Sequence, residues 1–452
     1  MNKNQSMENR KIGILITDFK VHKEYKEILT PALINHGMKV IYIFSSQNNL
    51  SRSDNRFLIK NRLARFTHSL YHDSVLWKNR ESNISYKFRA IGKFGSIAQR
   101  NFYSNNFLPH ILPEPFLNRI IIRITSTKII LNLMKKYLYL VAFHLKSSHY
   151  KSNFNNIDIL LIPYGARISI EEDFAIWLAK KLNIKSVAVQ ENWDNLSSKK
   201  FMFSQPDYFI TWGKQSTGHL KKFQKYEGKI KEFGCIRMQQ FYKYKSELIK
   251  SQRRRNKSKN NVKKDSRIIL FIGNGTVNDI ELIDFLVDYA QKQVKYNNKN
   301  TFFIFRPHPF SRVDLSKQLH KIENKKIIVD IPKKSESNDY RLKLIKNSEV
   351  VVGFYSTVLL EALIMDKVVA IPSFLGHDSR YKAFNFLSDS PHYNGINQLR
   401  NLYNFDSPKD LGTFLNYTPK LMSDPKSYNI LNKCCADIDT VNAISKFLFK
   451  LI

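Results

Sequence analysis

Residues 349–373 read EVVVGFYSTVLLEALIMDKVVAIPS. Two apolar runs of strand length, rich in valine, flank one helical stretch, and almost no residues are left over for the connections. A strand, a short helix and a second strand joined this tightly close as a parallel pair with a right-handed crossover. The same alternation runs through most of the chain. In the second half, RIILFIGNG reads as a strand ending in a glycine turn and VNDIELIDFLVDYAQKQ as a helix. TFFIFRPHP and KKIIVDI read as strands, and DYRLKLIKNS as a helix. In the first half, KIGILITDF, EYKEILTPALINHG and KVIYIFSS give strand, helix, strand. IDILLIPYG, IKSVAVQ, PDYFITWG and KIKEFGCIR read as further strands. Between the first two of these, Phe174, Trp177, Leu178 and Leu182 recur at helical spacing. The fold class expected is α/β, two Rossmann-like parallel-sheet domains facing across a cleft.

The expected boundaries are a first domain over 1–244, with a helical insertion around 50–150, a basic linker over 245–266 and a second domain over 267–452. The linker reading rests on KSELIKSQRRRNKSKNNVKKDS, which is dense in lysine and arginine and nearly free of apolar residues. With 452 residues, 43% of them hydrophobic, the chain has ample material for two cores. Its three cysteines, Cys235, Cys434 and Cys435, have neither disulfide-framework nor zinc-ribbon spacing, which fits a reducing cytosol. No signal-peptide pattern is present. The most membrane-like stretch, residues 119–145, is interrupted by Arg123, Lys128, Lys135 and Lys136. It fits a basic amphipathic segment at a membrane surface or a helix covering a core, rather than a span. The net charge of +35 suits anionic substrates, acidic lipid head groups or nucleic acid. Co-enrichment in Lys, Asn, Ile, Phe and Tyr also fits drift in an AT-rich genome, which spreads charge diffusely.

Ligands of open parallel sheets sit at the carboxyl ends of the strands, so the loops there carry the candidate site. In FIFRPHPF, two prolines hold Arg306 and His308 in a stiff extended turn after a strand, which suits an anion site; a rigid loop with a surface histidine is the alternative. In GFYSTVLLEAL, Ser356 and Thr357 stand where a helix begins, and a helix N-terminus favours phosphate. Either hydroxyl also serves as an ordinary cap. Glu361, one turn on, shares a helix face with Thr357 and suits ribose hydroxyls or plain solvent. Gly273, Gly275 and Thr276 in GNGT let backbone approach a ligand. In the first half, VQENWDNLSSK concentrates polar groups after a strand. Trp193 there suits stacking on a sugar. Asp194 by preference, or Glu191, suits a general base, with Asp18 and Asp173 as further candidates. There is no Walker A pattern, no GxSxG and no His/Cys cluster with metal spacing. The one DxD, Asp437-Ile438-Asp439, falls in an expected C-terminal helix rather than at a strand end.

Together these features resemble GT-B glycosyltransferases of bacterial surface-polysaccharide synthesis. The His-Pro and Ser-Thr pairs are similar to short motifs of bacterial sialyl and Kdo transferases and CDP-glycerol glycerophosphotransferases. The resemblance implies that His308, Ser356 and Thr357 contact the donor nucleotide and its phosphate, with the donor on the second half and the acceptor on the first. Glu361 resembles the ribose-binding glutamate of other GT-B enzymes. The implied activity is metal-independent transfer from a CMP-, CDP- or UDP-linked sugar to a glycan or lipid-linked acceptor, with no further cofactor and no nucleic acid. The implied location is the cytoplasm, peripheral at the inner membrane face. A nucleotide-sugar 2-epimerase on the same scaffold is the alternative, and a basic nucleic-acid binder a more distant one.

Overall fold

The computed structural model describes residues 10–16, 22–45, 61–79, 121, 123–144, 150–165, 170–199, 201–255, 266–274, 278–292, 300–309, 315, 327–332, 338–375, 391–419 and 424–452. The chain divides into two compact units. The first comprises Met1–Ile236, Ser390–His392 and Cys434–Ile452, and the second Arg237–Asp389 and Tyr393–Lys433.

The first unit is built on a parallel sheet of order β2-β1-β3-β4-β5-β6. Its strands are β1 (Arg10–Ile16), β2 (Met38–Phe44), β3 (Ile159–Tyr164), β4 (Lys185–Gln190), β5 (Tyr208–Thr211) and β6 (Lys229–Glu232). All six residues of β3 are buried, as expected of a strand covered on both faces. Side chains alternate between two cores. Ile12, Ile14, Leu161, Val187 and Val189 pack on one face, and Leu15, Leu160, Ile162 and Ala188 on the other. The second core holds the first of the inserted helices, Arg62–Asn79, through Ala64, Tyr71 and Val75. It also takes Leu131 and Met134 from the helix Lys128–Tyr137.

The C-terminal helix, Thr440–Leu451, returns to this first sheet, although the sequence reading placed all of 267–452 in the second half. Its stripe of Ile444 and Leu448 is buried against Ile12, Ile14 and Ile159. The Arg10 guanidinium donates to the Phe449 carbonyl (2.6 Å) and lies 4.1 Å from the centre of the Phe449 ring. Asp439 is the N-cap of this helix, accepting from Asn442 N–H (3.3 Å), so the expected helical DxD is a cap.

The second unit carries a parallel sheet of order β12-β11-β10-β7-β8-β9. The strands are β7 (Ser266–Ile272), β8 (Asn300–Arg306), β9 (Ile327–Val329), β10 (Val350–Gly353), β11 (Val368–Pro372) and β12 (Leu402–Phe405). Val350, Val352 and Ala370 pack with Ile269, Phe271 and Phe303 in its core. The helix Thr357–Ile364 joins β10 to β11, as the density of that segment requires. One guanidinium ties the unit together. Arg267, 1% exposed, donates from Nε to Glu349 Oε1 (2.8 Å), from Nη1 to the Leu415 carbonyl (2.5 Å) and from Nη2 to Thr418 Oγ1 (2.5 Å). The Leu415 carbonyl lies in the last turn of the helix Pro408–Asn416, where a cation complements the dipole. Residues 245–255 of the expected linker are helical, continuing the helix Ile236–Arg255. Lys245 Nζ anchors that helix 2.9 Å from Asp366 Oδ1. Residues 256–265 lie outside the described residues.

Candidate functional site

In the second sheet the strand order reverses between β7 and β10, the position where open parallel sheets bind ligands. Register places the ends of three strands in one row: Gly353 pairs with Ile272, and Ile272 with Arg306. Neighbouring strands lie about 4.8 Å apart, so the loops after β8 and β10 leave the sheet within about 10 Å of each other. The turn holding His308 and the helix start holding Ser356 and Thr357 therefore flank the loop that begins at Gly273. Both glycines are required by close approach. A Cβ on Gly353 would meet the Ile272 carbonyl oxygen at 2.9 Å, and one on Gly273 would meet Asp279 Oδ2 at 2.5 Å. Gly273 N–H donates to the Arg306 carbonyl (2.9 Å), and Asn274 N–H to Asp279 Oδ1 (2.7 Å).

The individual side chains differ in their commitments. His308 is exposed on the extended turn. Ser356 is the N-cap of the helix Thr357–Ile364, and its side chain makes no capping bond; both hydroxyl residues are half-buried. Arg306, read as an anion donor, is 9% exposed and ion-paired with Asp330, whose other oxygen accepts from Tyr340 Oη (2.9 Å). Its charge is already matched, so it braces the β8 turn. Glu361 is 1% exposed; Arg341 Nε lies 2.8 Å from one of its oxygens and Arg237 Nε 3.6 Å from the other. A carboxylate placed so is a buried link between two helices, Ile236–Arg255 and Asn338–Asn347. Gly275 and Thr276 lie outside the described residues.

In the first unit, Glu191 follows β4 and is held by two residues that the sequence reading did not single out. Its Oε1 accepts from Tyr25 Oη (2.6 Å), and its Oε2 lies 3.6 Å from Nδ1 of His22, which is fully buried. The Glu191 side chain keeps 14% exposure. Burial, with the carboxylate beside it, pushes the Tyr25 phenol well above its usual range, so Tyr25 stays a donor. Asp194 is half-exposed in the following turn. Trp193 is 3% exposed, donates Nε1–H to Gln215 Oε1 (3.0 Å) and meets His392 edge-on at 5.5 Å. It is a packed core residue rather than a sugar platform. His392 joins the same loop, with Nδ1 2.9 Å from Ser197 Oγ. Asp173 is fully buried and accepts at Oδ1 from the backbone N–H of Phe203 and Ser204 (both 3.2 Å), which removes it as an accessible base. Asp18 lies outside the described residues.

One constellation runs against the absence of metal-ligand spacing in the sequence reading. Nε2 of His68 lies 2.8 Å from Asp173 Oδ2 and 2.9 Å from Nε2 of His72, and the latter lies 3.3 Å from the same carboxylate oxygen. Among the described residues this is a group of ligand-type side chains close enough together to hold an ion. The i, i+4 spacing of His68 and His72 on one helix face was the available signal.

No protein-family model matches the chain, and no curated protein matches it in sequence. Solved structures do match by fold. The UDP-GlcNAc 2-epimerase of Methanocaldococcus jannaschii superposes with a TM-score of 0.50 over 97% of this chain and 99% of its own, at 13% identity. MnaA of S. aureus, solved with UDP, gives 0.50 over 98% of both chains at 11% identity. A variant of the wall teichoic acid polymerase TagF gives 0.47 over 98% of this chain and 88% of its own, at 11% identity. At such identities the first two matches establish the fold alone, two Rossmann-like α/β units.

Proposed function

We propose that the protein is a nucleotide-sugar enzyme that transfers the sugar to a hydroxyl of a cell-surface glycan or lipid-linked acceptor. The observation that carries this reading is the row Gly353, Ile272, Arg306 at the strand reversal of the second sheet, from which the three candidate loops emerge. The departing phosphate gains negative charge as the anomeric bond breaks. His308, the hydroxyls of Ser356 and Thr357 and the first N–H groups of the helix Thr357–Ile364 are donors suited to that charge. Arg306 acts behind them, bracing the turn through Asp330. In the first unit Glu191, oriented by Tyr25 and His22, is placed ahead of Asp194 as the base that takes the acceptor proton, because a base works best when a third group fixes it. Among the described residues no helix is long and apolar enough to cross a membrane. Peripheral contact is supported by Ile129, Leu133 and Leu140, 74%, 56% and 61% exposed around Lys128, Lys135 and Lys136.

A second reading, a 2-epimerase acting on the nucleotide sugar alone, is favoured by the match to the archaeal epimerase over nearly the whole of both chains. The two separate on products. A thermal-shift panel of CMP, CDP, UDP, GDP and dTDP identifies the nucleotide. Proton NMR of the matching nucleotide sugar, with and without a pooled glycan acceptor, then reads the reaction. Transfer yields free nucleotide and glycosylated acceptor only when acceptor is present; epimerisation yields an isomerised donor without it. His308→Ala is expected to fold normally and lose about a hundredfold in turnover. Full turnover in that variant, or no stabilisation by any of the five nucleotides, would overturn the assignment.

A further inference from the structure

We propose that His68, His72 and Asp173 form a buried binding site for a divalent transition-metal ion, best suited to zinc, that fastens the inserted helix Arg62–Asn79 to the first turn of the helix Ile170–Lys181. The site lies in the first unit and is independent of the donor-site reading above.

Three observations converge. The first is composition and burial. Two imidazoles and one carboxylate, each at most 2% exposed in the side chain, are a zinc-type donor set removed from water. The second is shape. The ring centroids of His68 and His72 stand 4.2 Å apart while their Nε2 atoms stand 2.9 Å apart, so the rings converge through those nitrogens. With Asp173 Oδ2 the nitrogens close a triangle of edges 2.8, 2.9 and 3.3 Å. An ion roughly 1 Å out of that plane lies about 2 Å from all three atoms, the usual zinc distance to nitrogen and oxygen.

The third observation is proton bookkeeping. Two neutral imidazoles with Nε2–H can both point at the carboxylate, but the short nitrogen–nitrogen edge then sets donor against donor. Removing one proton leaves a lone pair facing another along a second edge. A cation at the centre satisfies all three edges at once. The other carboxylate oxygen is held by the Phe203 and Ser204 N–H groups, which fixes the ligand as an outer shell does in metal sites. The Phe201 N–H to Nδ1 of His72, at a long 3.3 Å, distinguishes the states. It is accepted when the His72 proton sits on Nε2, and it is released when Nε2 coordinates and the proton moves to Nδ1.

The experiment uses the full-length protein, stripped with EDTA and dialysed against a slight excess of zinc chloride. Elemental analysis is expected to give close to one zinc per chain, with a melting temperature several degrees above the stripped form. In the double variant His68→Asn/His72→Asn, with circular dichroism reporting the fold, both the zinc and the shift are expected to vanish. X-ray absorption at the zinc edge of the wild-type protein supplies a reading that does not depend on the variant folding, and imidazole scattering from two histidines is expected. Less than a fifth of an equivalent of zinc on the wild type, undiminished zinc on a folded double variant, or an edge spectrum without imidazole would overturn the site and leave a triad held by protons alone.

Discussion

Replacing Glu361 by glutamine separates a structural role from a ligand-binding one. The carboxylate is 1% exposed, with one guanidinium nitrogen at 2.8 Å and another at 3.6 Å. Removing one partner of a buried ion pair costs about 3–5 kcal/mol, because the remaining charge stays uncompensated. Here the discount is substantial. The Arg237 and Arg341 side chains are 23% and 24% exposed and recover part of their hydration, and glutamine keeps a carbonyl acceptor. The expected loss is about 2 kcal/mol. In a unit of roughly 200 residues a loss of 1 kcal/mol lowers the midpoint by about 2–4 °C, so Glu361→Gln should melt about 4–8 °C below wild type. Calorimetry at neutral pH reads this directly, and isothermal titration with the preferred nucleotide is its partner measurement. A midpoint within a degree of wild type, together with a tenfold fall in nucleotide affinity, would refute the reasoning and return Glu361 to the ribose.

Two further outcomes follow from buried polar groups. Arg267→Met should cost more than Glu361→Gln, about 3–5 kcal/mol, because it strands the Leu415 carbonyl inside the unit and removes the bonds to Glu349 and Thr418; the urea midpoint checks it, and an unchanged midpoint would deny Arg267 its bracing role. Alkali should unfold the protein through its tyrosines. Burial pushes Tyr71 up to about 12 and raises Tyr25, Tyr164 and Tyr226 as well, so below about pH 10 folded and unfolded chains both keep these protons and stability is level. Above that the unfolded chain releases them first, and stability falls by about 1.4 kcal/mol per pH unit for each tyrosine still protonated, with the Tyr71 contribution gone by about pH 12. Exposed tyrosines such as Tyr417 should raise the absorbance at 295 nm first, in folded protein, and the remaining rise should come together with loss of the circular dichroism signal; completion of the rise while the protein is still folded would contradict it.

Local pattern determined much of this protein. A segment such as EVVVGFYSTVLLEALIMDKVVAIPS leaves no closure but a parallel one, so the strands other than the edge strand β12, the two-sheet architecture and the loops at their carboxyl ends were legible from residue order alone. The arrangement of those strands, and with it the emergence of the loops after β7, β8 and β10 beside one reversal point, is decided by packing between segments far apart in sequence. So is the fate of each charge. Nothing local to Arg306 announces Asp330, and nothing near Glu361 announces Arg237 and Arg341, because their partners arrive from other elements. His68 and Asp173 are separated by 105 residues and meet only when the inserted helix docks beside the first turn of another. The C-terminal helix shows the same division. Its amphipathic stripe was written in the sequence, but any exposed apolar sheet face would accept such a stripe, and only the folded chain selected the first sheet over the second.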